Sequence, residues 1–167
     1  MLFRSSLVTL QLTINQPSSG SASASACASY TWNGTTYTQS GTYVKTLTNA
    51  AGCDSIATLV LTIQQPLTPT VTISSSAANP VMPGTSITFT ASITNGGTSP
   101  VYVWRKNGLV VGGNSPTYTN NSWVDGDLVY VAIVSNATCL TSPTAVSNSI
   151  AVYLVDPNTL EIGRAHV

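Results

Sequence analysis

The chain has 167 residues, zero formal net charge and only 6% charged residues, against roughly 25% in ordinary soluble domains. It has no basic stripe to neutralise phosphates, so nucleic-acid binding has no support. No apolar run reaches the ~18 residues of a membrane helix, so no membrane span is expected. Thr, Ser, Val, Ile and Tyr are abundant, and their β-branched or aromatic shapes suit pleated sheets, so the expected fold class is all-β.

In chain order, the first feature is a repeat. Residues 7–17 read LVTLQLTINQP and residues 56–66 read IATLVLTIQQP, identical at seven of eleven positions and 49 residues apart. A fixed period of this length marks a repeat array. Residues 1–17 therefore read as the end of a preceding truncated repeat, with a strand over 7–14. Strand alternation of Val8, Leu10, Leu12 and Ile14 with polar residues, and the mid-chain second copy, argue against a signal peptide at the start. Residues 18–26, SSGSASASA, are a small-residue linker or an extended edge.

Residues 18–66 form one complete small module of four or five short antiparallel strands. Tyr30 and Trp32 run into Asn33-Gly34, the strongest short hairpin signal, and Thr36-Tyr37-Thr38 follow. Strands are also expected around Tyr43–Leu47 and Ile56–Ile63. Cys27 and Cys53 lie near the two ends of this module. A bridge between them would close a loop of about 25 residues and constrain the unfolded chain by roughly 3 kcal/mol. That suits a secreted unit too small for a large core; the alternative is two free buried thiols.

Pro66 and Pro69 mark a boundary, because neither donates a ladder hydrogen bond. Residues 67–155 then carry about seven evenly spaced strands, which argue for a β-sandwich. Ile87, Phe89, Ala91 and Ile93 alternate with Thr and Ser in a half-buried strand. Asn107-Gly108 is a second hairpin turn, and Asp125-Gly126-Asp127 turns into LVYVAIVS. Residues 156–167 are a tail. Its last seven residues, EIGRAHV, back-translate to a common sequencing adapter in frame, so residues 161–167 read as read-through and His166 carries no functional weight.

Outside that tail the sequence has no His and no Glu, so no Ser-His-Asp or Cys-His set can be assembled and an enzyme is not expected. Asp125 and Asp127 could hold Ca²⁺, which wants 6–8 oxygens, or could simply shape a turn; no other cofactor is indicated. Trp32 and Tyr37, with Tyr30 and Tyr43, could present a platform to sugar rings or supply the core area of a small module.

The residues of the first module resemble repeats of exported surface proteins of the Bacteroidetes. The likeness is carried by Ala26-Cys27, Ser29 to Gly34, Ser40 to Tyr43, Asn49 to Ser55 and Leu59 to Ile63. The second is similar to immunoglobulin-like and PKD-like modules of such proteins, through Tyr102-Val103-Trp104, Asn107-Gly108, Asn114 to Tyr118, Asp125 to Asp127, Ser135 to Cys139 and Ser147 to Ile150. The resemblance implies a long, extracellular, cell-surface protein of the adhesin-like or gliding-motility-associated kind, delivered by type IX secretion. It implies that Trp104 is a core marker packed between sheets. Related modules often carry a cysteine near Val131; without it, Cys139 is expected to be an unpaired thiol. The expected function is a non-catalytic fragment with spacer and adhesion modules. Its partners would be neighbouring repeats of the same polypeptide, and surface glycans or other cells. The alternative is a carbohydrate-binding module of a secreted multidomain hydrolase.

Overall fold

The computed structural model describes residues 10–156. The chain divides into two compact units, Met1–Gln65 and Pro66–Val167. All the described regular structure is strand, and no helix is long and apolar enough to cross a membrane. The suspected read-through, residues 161–167, lies outside the described residues.

The amino-terminal unit holds β1 (Ser18–Cys27), β2 (Tyr30–Trp32), β3 (Thr35–Tyr37), β4 (Gly41–Thr48) and β5 (Asp54–Gln64). The sheet order is β1-β5-β4, with β2 and β3 as a separate hairpin. Asn33 and Gly34 both have positive φ, 47° and 78°, as the tight hairpin turn demands. In β5, Leu59, Leu61 and Ile63 point to one side and are buried. Ala24 and Ala26 of β1 and Tyr43 of β4 flank them, and Tyr30, Trp32 and Tyr37 of the hairpin pack against them. The opposite face shows Val44, Ile56 and Val60 exposed. Ser40 prolongs the β4–β5 pairing through its side chain: Ile63 N–H donates to Ser40 Oγ at 2.8 Å.

Residues 18–26 take the second of the two expected forms, an extended edge: they lie in β1, at the edge of the sheet. Two expectations need correction here. β1 runs parallel to β5, so the module is not wholly antiparallel. The strand expected over 7–14 is absent from residues 10–14, whose backbone has no ladder partner among the described residues; residues 7–9 lie outside them. Alternation alone supplies no backbone partner, and a strand needs one.

The carboxy-terminal unit holds β6 (Thr70–Ser75), β7 (Ile87–Thr94), β8 (Val101–Lys106), β9 (Leu109–Val111), β10 (Thr117–Asn120), β11 (Asp127–Val134), β12 (Thr144–Val146) and β13 (Ile150–Val152). One sheet runs β10-β7-β6. The other runs β12-β11-β8-β9, with β13 also on β11. In immunoglobulin lettering these are E-B-A and G-F-C-C′, so the unit is an immunoglobulin-like β-sandwich. Val71, Ile73, Ile87 and Phe89 from the first sheet meet Trp104, Val129, Val131, Ile133 and Val152 from the second in one core. Where antibody domains bridge β7 and β11 with a disulfide, Phe89 and Val131 are both fully buried.

The last strand is interrupted between β12 and β13, and side chains bridge the gap. Val131 N–H donates to Ser147 Oγ at 3.0 Å. Asn148 accepts from Ile73 N–H at 2.8 Å and donates to Ile73 O at 3.2 Å, standing in for a strand beside β6. Among the described residues no buried side-chain polar atom lacks a partner.

Candidate functional site

The aromatic hairpin is the first candidate. Tyr30 pairs across the strands with Tyr37, and Trp32 with Thr35. The pleat therefore sends all three aromatics to one face, and that face lies on Leu59, Leu61 and Ile63. The Trp32 and Tyr37 ring centroids are 6.5 Å apart, and those of Tyr37 and Tyr43 are 4.0 Å apart. The outward face offers Thr31 and Thr36, whose hydroxyls share a 2.9 Å hydrogen bond. Lys45 Nζ donates to Asn33 O at 2.5 Å and ties the turn to β4. Trp32 and Tyr37 are thus half-buried packing residues of their own unit.

The acid pair is the second candidate. Asp127 is 4% exposed. Its Oδ2 accepts from Lys106 Nζ at 3.0 Å and from Val124 N–H at 2.9 Å, and its Oδ1 accepts from Asn107 Nδ2 at 2.7 Å. Asn107 in turn accepts from Leu128 N–H at 2.8 Å and donates its own N–H to Leu128 O at 2.9 Å. The network fastens the β8–β9 turn to the start of β11. Burial pushes the Asp127 carboxyl up. The hydrogen bonds from Val124, Lys106 and Asn107 together outweigh burial and hold it below the ordinary carboxylate range. The Lys106 ammonium also lies 5.5 Å from the Trp123 ring centroid, a favourable cation–π distance. Asp125 Oδ1 accepts from Leu154 N–H at 2.7 Å. A cation at Asp127 would have to displace a lysine, and no group of three or more His, Cys, Asp or Glu converges among the described residues.

Trp104 is fully buried, and its indole N–H donates to Ser115 O at 2.9 Å, the polar handle a buried Trp needs. Trp104, Tyr118, Phe89 and Trp123 form a chain of ring contacts with centroids 5.7–6.5 Å apart. Desolvation pushes the Tyr118 phenol above its ordinary value. Trp123 belongs to this core, although its sequence neighbourhood, Asn120-Asn121-Ser122, reads as loop.

The cysteines differ from expectation. Cys53 is a free thiol, whereas Cys27 and Cys139 are each disulfide-bonded. A Cys27–Cys53 bridge is geometrically closed off. Cys27 pairs with Gln64 at the far end of β5, while Cys53 immediately precedes its first residue, Asp54. The 11 residues of β5 span about 36 Å at ~3.3 Å each, whereas disulfide Cα atoms lie within about 7 Å. The parallel direction of β1 puts the two cysteines at opposite ends of the sheet. Cys139 is not the unpaired thiol; Cys53 is.

No family model matches the chain, and no curated protein sequence resembles it. Solved structures with a similar fold include the four N-terminal immunoglobulin domains of Dscam1 isoform 1.9, at 21% identity over 70% of this chain and a TM-score of 0.41. Another is the full ectodomain of mouse nectin-like molecule 4, at 20% identity over 70% of this chain and a TM-score of 0.39. The chain spans 27% and 41% of those two chains.

Proposed function

We propose that the chain is a non-catalytic part of a large, exported cell-surface protein, of the adhesin-like kind that its first module resembles, and that its two units are spacer modules. The observation that carries this reading is how the reactive and aromatic side chains are used. Trp104 is fully buried, Trp32 and Tyr37 are half-buried against Leu59, Leu61 and Ile63, and the Asp127 carboxylate is engaged by Lys106, Asn107 and Val124. Disulfide-bonded Cys27 and Cys139 support an oxidising, extracellular setting. The work of such modules is geometric: they hold a distal binding domain away from the membrane, and their partners are neighbouring repeats of the same polypeptide.

A glycan array probed with the intact chain tests this reading. It expects no saturable ligand that Trp32→Ala or Tyr37→Ala removes. A ligand lost in a variant that keeps its native thermal transition would make the chain a carbohydrate-binding module instead.

A further inference from the structure

The 49-residue repeat places one sequence in two opposite surroundings. Leu59, Leu61 and Ile63 are 1%, 2% and 8% exposed, while their counterparts Leu10, Leu12 and Ile14 are 81%, 73% and 70% exposed. In the covered copy, β5 lies between the small residues of β1 on one side and β4 on the other, beneath the aromatic hairpin. Among the described residues the uncovered copy has none of these partners. Only two positions of residues 10–17 differ from residues 59–66, Gln11 against Val60 and Asn15 against Gln64. Both Val60 and Gln64 are exposed, so every difference falls outside the buried stripe. The identity is kept where a cover would touch.

The end of the uncovered copy is held in place. Asn15 Nδ2 donates to Ala51 O at 2.8 Å, and Asn49 Nδ2 donates to Gln16 O at 3.1 Å. Asn49 also accepts from Ala51 N–H and Cys53 N–H at 3.0 Å and 2.9 Å, so the turn that receives the segment is itself braced. From there the chain passes through Pro17 directly into β1.

We propose that Leu10–Pro17 is the closing strand of a second module of the same kind, and that the occupant of its exposed stripe is another copy of the segment Ser18–Ser55. The register follows from the covered copy, where Ala22, Ala24 and Ala26 pair with Leu59, Leu61 and Ile63, and Tyr43 and Gly41 with Leu59 and Leu61. The incoming copy sets its Ala22, Ala24 and Ala26 beside Leu10, Leu12 and Ile14, and its Tyr43 and Gly41 beside Leu10 and Leu12. The alanines matter because a strand of small side chains leaves the leucines room to fill the space under the hairpin. The stripe carries no charge, so the recognition is one of shape and backbone pairing. This inference rests on the reading that neighbouring repeats are the partners, not on their acting as spacers, and would hold for an adhesive module equally.

The test is a tandem chain with a second copy of Ser18–Ser55 placed ahead of Leu7, followed by hydrogen exchange resolved by mass spectrometry. Amides of residues 10–14 should exchange at least ~100-fold more slowly than in the 167-residue chain. Leu12→Asp in the tandem chain should abolish that protection and leave residues 59–63 unchanged. A second measurement uses the intact chain and a synthetic peptide of residues 18–55: saturable binding should weaken at least ~10-fold with Leu12→Asp. Neither protection nor binding, or either one unaffected by Leu12→Asp, overturns the proposal.

Discussion

Residues 10–17 and 59–66 are nearly the same peptide, yet one is core and the other is solvated. The difference lies in cover. Residues 59–63 have β1 and β4 to satisfy their backbone and the hairpin to exclude water; residues 10–14 have neither among the described residues. An alternating pattern specifies which side of a strand will be buried if partners arrive, and no more. The two units extend the comparison. The amino-terminal core is one sheet face under a hairpin, and the carboxy-terminal core is enclosed between two sheets. Cover therefore grows from none, to one-sided, to complete.

Substitutions can break that gradient. Trp104→Ala, in the fully enclosed core, should cost about 3–5 kcal/mol and abolish the thermal transition of the carboxy-terminal unit. Leu61→Ala should cost about 3 kcal/mol, seen as an earlier urea midpoint for the amino-terminal unit alone. Removing the Asp127 carboxylate with Asp127→Ala should cost about 1–3 kcal/mol, because Asn107 and Val124 lose their acceptor. Leu12→Ala, the counterpart of Leu61→Ala, should change stability by less than about 0.5 kcal/mol. An equal cost for Leu12→Ala and Leu61→Ala would remove the distinction between the two copies.

The Asp127 network also sets a pH dependence. Its carboxyl is held below the ordinary range in the folded chain, so the unfolded state binds the proton more readily. The stabilisation is therefore complete above the unfolded value of about 3.9 and is lost as pH falls through the folded one. Acid titration of the carboxy-terminal unit should show that loss below about pH 4, and Asp127→Asn should flatten it. An unchanged acid profile in Asp127→Asn would assign the sensitivity elsewhere.

Much of this arrangement was legible from residues. Asn33-Gly34 and Asn107-Gly108 marked both hairpins because those residues tolerate the positive φ they adopt. The sandwich was legible from strand spacing, and Trp104 as its core marker from the likeness to immunoglobulin-like modules. SSGSASASA fitted a linker and an extended edge equally because it has no apolar period, and the pairing of β1 with β5 is parallel and distant in sequence. The cysteine assignment failed for the same reason: linear closeness suggested Cys27 with Cys53, and only strand direction separates them. Trp123 was missed because its burial depends on the Phe89 and Tyr118 rings rather than on its neighbours in sequence. The double role of the hairpin aromatics, platform or packing, turns on what lies beneath them, which a local pattern does not carry.

The state of the thiols gives a further check. Alkylation without reductant should label Cys53 and leave Cys27 and Cys139 unlabelled until reduction; labelling of Cys27 in the native chain would contradict its bonded state. The most direct test of the role of cover is hydrogen exchange of the two repeat copies in the intact 167-residue chain. The amides of residues 59–63 should exchange only through opening of the amino-terminal unit, while those of residues 10–14 exchange at close to the unprotected rate. Comparable protection of the two copies would contradict the account, because the same sequence would then be protected without its cover.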